Sequence, residues 1–214
     1  MKGKALERNI ARMALAAGLV LAAMLVAMVL QGSAETSFDT FMPPAEYAGN
    51  LLQHEAAVRT YVALDSLFVL FYTALFVLLA MALKNAENMW LVAAGLGALL
   101  ITTYLDVHEN NELLVFIQMA QQGVLPTAEV VHARALWSAI KFHSSYVSFF
   151  LMAFVLPDKT TLERGLRWSL WLGYVLFGVL VYAFPSPWFT LARFFFMLVG
   201  LFLLAWNFHL RARK

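Results

Sequence analysis

The chain has 214 residues, of which 62% are hydrophobic and only 13% charged, against about 45–50% apolar and 25% charged in a soluble domain. It contains no cysteine, which excludes disulfides, thiolate nucleophiles, iron–sulfur clusters and Cys-ligated zinc. The net charge of +2, with most basic residues at the ends of apolar runs, argues against a nucleic-acid partner. Several runs are long enough to cross a bilayer, so the expected fold is an all-α bundle of six membrane spans, residues 1–214 forming one domain.

Lys2, Lys4, Arg8 and Arg12 precede an apolar run over 13–30. This basic start, followed by Gly32-Ser33-Ala34, also permits a cleaved signal peptide. The run is longer than a signal core of about 7–15 residues, so a retained first span is expected. Residues 31–59 are polar and mildly acidic. Pro43-Pro44 stops any earlier helix and starts a new one, and 45–59 reads as a helix running into the second span, 60–83. His54, Tyr61, Asp65 and Tyr72 share a face there, and the first, second and last of these are candidates for a pocket mouth. A short turn, 84–88, leads to span three, 89–109. An apolar-faced helix follows to Gln122, with Gly123 as its C-cap. Thr127 is the expected N-cap of the next helix, whose spanning part is 133–155. Thr160 and Glu163 have the spacing of a capping box. Span five, 166–184, carries no ionisable group in its interior and is expected to face lipid. Its Gly173 and Gly178 are five apart and do not make the small-xxx-small packing pattern. Ser186-Pro187 opens span six, 188–208. Trp90, Trp137, Trp168, Trp188 and Trp206 fall near span ends, as in an interfacial belt.

Basic residues set the orientation. Lys2, Lys4, Arg8, Arg12, Lys84, Lys159, Arg164, Arg167, Arg211, Arg213 and Lys214 lie on one side of a six-span chain, while Arg59 and Arg134 flank the other. Both termini are therefore expected in the cytoplasm of a bacterial cell, with 31–59 and 110–132 in the periplasm and the protein in the inner membrane.

Charge occurs where membrane helices rarely carry it. At about 100° per residue, Thr102, Thr103, Asp106, Glu109 and Asn110 fall within roughly 120° of arc. Arg134, Ser138, Lys141, Ser144, Ser145 and Ser148 form a second stripe. A carboxylate at a helix centre costs about 2.5–3.5 kcal/mol on insertion scales and marks a functional site by default. At about 1.5 Å per residue, Asp65 lies roughly 7 Å below the outer boundary, Asp106 at a similar depth, Arg193 roughly 9 Å and Lys141 roughly 12 Å inside. Three acids thus face two bases at levels that can meet, forming a polar pocket among spans two, three, four and six, open to the periplasm. Its expected ligand-binding residues are Tyr61, Asp65, Asp106, Glu109, Asn110, Lys141, Ser145 and Arg193.

The expected function is binding or transport of a small polar or zwitterionic ligand, with proton linkage a natural consequence of the acid–base cluster. One alternative is a membrane-embedded enzyme acting on a lipid or lipid-linked substrate at the outer leaflet. Asp106 or Glu109 would then be general base, with Lys141 and Arg193 holding a phosphate or carboxylate. The other is an accessory or assembly subunit whose ion pairs only set helix register. No metal and no other cofactor is expected: His108 and His143 point away from the stripes, and Lys141 and Arg193 oppose a cation. These two histidines also lie at unequal depths, unsuited to a bis-His haem, and only His132 with His108 could match in depth. No His-Glu-x-x-His or Gly-x-Ser-x-Gly signature occurs. The expected partners are the lipid bilayer, a small polar or lipid-derived ligand, and a second copy or another membrane protein.

Overall fold

The computed structural model describes residues 2–31, 38–184 and 186–213. These are helical, with no strand among them: α1 (Lys2–Gln31), α2 (Pro44–Gln53), α3 (Glu55–Leu83), α4 (Met89–Gln121), α5 (Ala128–Val155), α6 (Thr161–Trp168), α7 (Leu176–Ala183) and α8 (Pro187–Arg213). A π-helical segment, Ser169–Val175, joins α6 to α7, so 161–183 is one continuous rod. Among the described residues six helices are long and apolar enough to cross a membrane, and the chain is a multi-pass membrane protein. The possible cleavage site at Gly32-Ser33-Ala34 lies outside the described residues.

The spans close into a ring in chain order. α1 packs on α3, α3 on α4, α4 on α5, α5 on the π-helical segment, that segment on α8, and α8 back on α1. Short connections make consecutive helices antiparallel neighbours. Arg211 of α8 lies 3.2 Å from Glu7 of α1 and 3.8 Å from Glu163 of α6, placing both chain ends on one side, here called the terminal side. Small residues on α1 permit the closure: Ala14 and Ala17 are fully buried, and a Cβ at Gly18 would meet the Phe202 ring at 3.2 Å.

Three helices extend beyond the spans they carry, as the sequence predicts: α3 begins at Glu55, α4 runs to Gln121 and α5 begins at Ala128, against spans of 60–83, 89–109 and 133–155. At about 1.5 Å per residue, α4 is roughly 50 Å long, longer than a hydrocarbon core of about 30 Å. Most of 110–132 is therefore helix continuing from the spans. The stretch 45–59 is not one rod either: His54 breaks it, with φ −112° and ψ 20°. The break lets α2 fold over the ring end, burying Tyr47 and Leu51 against Phe38, Val58, Leu113, Phe116 and Ile117. The caps form as the sequence predicts. Gly123 takes φ +73°, Thr127 accepts from the Val130 amide at 3.4 Å, and Thr160 and Glu163 make a reciprocal capping box.

Span five does not simply face lipid. Its π-helical segment buries Leu170 and Tyr174 in the ring. The two glycines serve different neighbours: a Cβ at Gly173 would lie 2.4 Å from Phe196 of α8, and one at Gly178 the same distance from Tyr146 of α5. Their spacing of five lacks the usual pattern because two helices, not one, approach. The tryptophans at 90, 137, 168, 188 and 206 are all exposed on the outside of the ring, as an interfacial belt requires.

Candidate functional site

The ring interior changes character along its length. Leu75, Leu79, Leu99, Met152, Leu204 and Phe208 pack its terminal half, and the α2 cluster closes the far end. Between them lies a cavity of about 100 Å³. All eight residues expected to bind a ligand line it: Tyr61, Asp65, Asp106, Glu109, Asn110, Lys141, Ser145 and Arg193. Every span contributes, not only spans two, three, four and six: Leu21, Met24 and Met28 come from α1, and Tyr174 comes from the π-helical segment.

Polar rungs join α3 to α4. The Asn110 amide donates to Asp65 at 2.7 Å, the Tyr72 hydroxyl donates to Asp106 at 2.5 Å, and Thr73 pairs with Thr103 at 3.0 Å. Partner numbers rise on one helix as they fall on the other, as an antiparallel pair demands. Between α4 and α5, Thr102 and Ser144 hydroxyls meet at 2.8 Å. Lys141 pairs closely with Glu109, and its ammonium is 3.3 Å from Asp106. Ser145 donates to the Phe142 carbonyl at 2.7 Å and pairs with Tyr174 at 2.9 Å.

The charges do not all pair as the count of three acids against two bases suggests. Lys141 takes both Asp106 and Glu109. Asp65 accepts from the neutral amide of Asn110, and among the described residues no basic side chain comes within ion-pair distance of it. Arg193 forms no ion pair among the described residues. Its guanidinium lies 3.8 Å from the centroid of the Phe142 ring and donates to the Tyr146 hydroxyl at 3.1 Å. Its Nε is buried without a hydrogen-bond partner, as is Oε1 of Glu109. Cation–π contact compensates a buried guanidinium only in part, by about 2 kcal/mol or more when desolvated. One cavity thus holds an acid and a base that, among the described residues, both stand outside the ion pairs.

Arg134 is the main residue the sequence reading left out of the site. It is 2% exposed and ties the roof together. Nε donates to the Phe38 carbonyl at 3.1 Å and Nη1 to the Glu109 carbonyl at 3.0 Å, with Glu112 at 3.3 Å and Asp39 at 3.8 Å. It belongs to the α5 stripe with Ser138 and Lys141, so its inward direction was visible, but the apolar pattern placed it at the membrane boundary. Burial pushes the neighbouring Tyr47 phenol well above its ordinary pKa, with Arg134 partly opposing the shift. Tyr47 therefore remains a neutral hydroxyl in this roof. Tyr72 and Thr102 also line the cavity, and each already lay on a polar face with Asp65 or Asp106. Asp39 and Tyr174 gave no such signal. His54, a candidate for the mouth, sits at the α2–α3 break and is not part of the lining.

Compared with known protein families, curated proteins and solved structures, the chain matches none.

Proposed function

We propose that this membrane protein binds a small zwitterionic ligand in the intramembrane cavity. The observation that carries the reading is the separation of Asp65 from Arg193. Each lines the same cavity, each is buried, and among the described residues neither stands in an ion pair. A buried charge without a partner costs several kcal/mol. A ligand bearing both an ammonium and a phosphate or carboxylate would supply both partners at once, the cation to Asp65 and the anion to Arg193. Two parallel hydrogen bonds from the guanidinium favour a planar or tetrahedral oxyanion. The Asp106–Lys141–Glu109 group is paired within itself, one ammonium between two carboxylates, and forms a polar wall of the cavity. On the positive-inside pattern, the cavity lies toward the periplasmic side of a bacterial inner membrane with both termini cytoplasmic.

Native mass spectrometry of gently solubilised protein tests this reading. Wild type should carry a co-purifying small molecule with one cationic and one anionic group. Asp65→Asn and Arg193→Gln should each lose it while keeping their fold by circular dichroism. An adduct retained in both variants would remove the basis for the proposal.

A further inference from the structure

Below the polar cavity lies a second one of about 30 Å³, lined almost wholly by apolar side chains. Phe76, Phe149, Tyr174, Met197 and Leu201 line both. The two spaces are thus neighbours across one shared layer of side chains. Phe76 and Phe149 cross edge to face with centroids 5.1 Å apart, and Met197 completes the layer with a flexible, unbranched chain. The second cavity is long rather than round: Phe149 and Leu156 both line it and are seven positions apart, about 10 Å along α5. It leads toward the terminal side, where Leu166 and Leu204 end it.

The sequence of environments along the ring axis is therefore roof, charged chamber, apolar slot. A purely polar ligand would use the chamber and leave the slot empty. The order matches an amphiphile standing in the far leaflet, with its headgroup level with Asp65 and Arg193 and its chain pointing toward the bilayer centre. We propose that the second cavity is a chain subsite: the ligand is a single-chain amphiphile, with a zwitterionic headgroup in the chamber and one unbranched alkyl chain passing Met197 into the slot. This inference rests on the zwitterion reading and extends it. A lipid drawn from the bilayer and a water-borne amphiphile share this chemistry.

Gly200 provides a means of closing the slot alone. It lines the second cavity but not the first, and a Cβ there would meet nothing nearer than Leu170 at 3.8 Å. Gly200→Leu fills the slot without crowding the backbone and replaces a poor helix former with a good one. The experiment is calorimetric titration of the full chain in lipid nanodiscs, with empty nanodiscs subtracted. The probes are phosphoethanolamine without a chain and its methyl, butyl, octyl and dodecyl esters. In wild type, affinity should rise with chain length, by up to about fourfold per buried methylene. In Gly200→Leu the series should flatten near the value for the methyl ester. Probe delivered from the aqueous phase and probe preloaded in the bilayer should compete for one site, and the faster route identifies the source.

Short probes that bind wild type with no gain from added carbons would overturn the chain subsite and leave the zwitterion reading standing. So would a chain-length series unchanged by Gly200→Leu, since the gain would then be partition into the bilayer. Binding that grows with chain length but ignores Asp65→Asn and Arg193→Gln would overturn the zwitterion reading, and with it the headgroup of this inference, leaving the slot as an apolar site only. No binding by any probe would overturn both.

Discussion

The Lys141 ammonium on α5 lies 3.3 Å from the Asp106 carboxylate on α4, and its other contact is Glu109, one helical turn further along. A single cation therefore compensates two buried anions. Lys141→Met should destabilise the protein by about 3–5 kcal/mol, because it strands both carboxylates in the interior. Asp106→Asn should cost less, since Lys141 keeps Glu109. Combining Lys141→Met with Glu109→Gln should recover part of the loss. Thermal unfolding in detergent checks the cycle, and additive single effects would deny that these groups form a unit.

Arg134 holds the roof through the Phe38 carbonyl and the Glu109 carbonyl. Arg134→Met should free residues 38–53 before it unfolds the ring. Hydrogen exchange should show faster exchange over α2 with the middle of α3 and α5 still protected. Arg134→Lys keeps the charge but not the fork of donors, and should rescue only partly.

Gly178 lies directly under Tyr146. Gly178→Ala should cost about 1–3 kcal/mol by overpacking, despite the better helix propensity of alanine. Adding Tyr146→Ala should relieve the clash. The same pair should loosen Arg193, which donates to the Tyr146 hydroxyl. A Gly178→Ala protein as stable as wild type would contradict the close approach of α5 and α7.

Orientation can be read from a chain with no native cysteine. Ala86→Cys is on an exposed loop of the terminal side and Gln122→Cys on the far side. In intact cells, a membrane-impermeant maleimide should label Gln122→Cys and spare Ala86→Cys. The opposite pattern would invert the proposed topology.

Much of this architecture was legible in the residues. Apolar runs of bilayer length specify spans because an unsatisfied backbone cannot face lipid. The stripes on α4 and α5 announced an interior pocket because polar side chains at helical spacing must share one side. The helix ends at Gly123 and Thr127 were legible from their caps. The break at His54 was not, because α2 turns away there to pack on Leu113, Phe116 and Ile117, contacts far apart in sequence. Span five misled for a related reason: π-helical winding changes the face that each residue presents, so Tyr174 enters the cavity from a stretch with no polar periodicity.

The sequence by itself determined the membrane class, the number of spans and the group of residues that had to be hidden together, since these follow from local composition and helical periodicity. Only the tertiary structure decided which charges found partners. Ion pairing depends on distances between helices that are far apart in sequence, and ring closure by α1 and α8 sets those distances. That packing gave Lys141 two carboxylates, left Arg193 over the Phe142 ring and left Asp65 on the Asn110 amide, outside the ion pairs of the described residues.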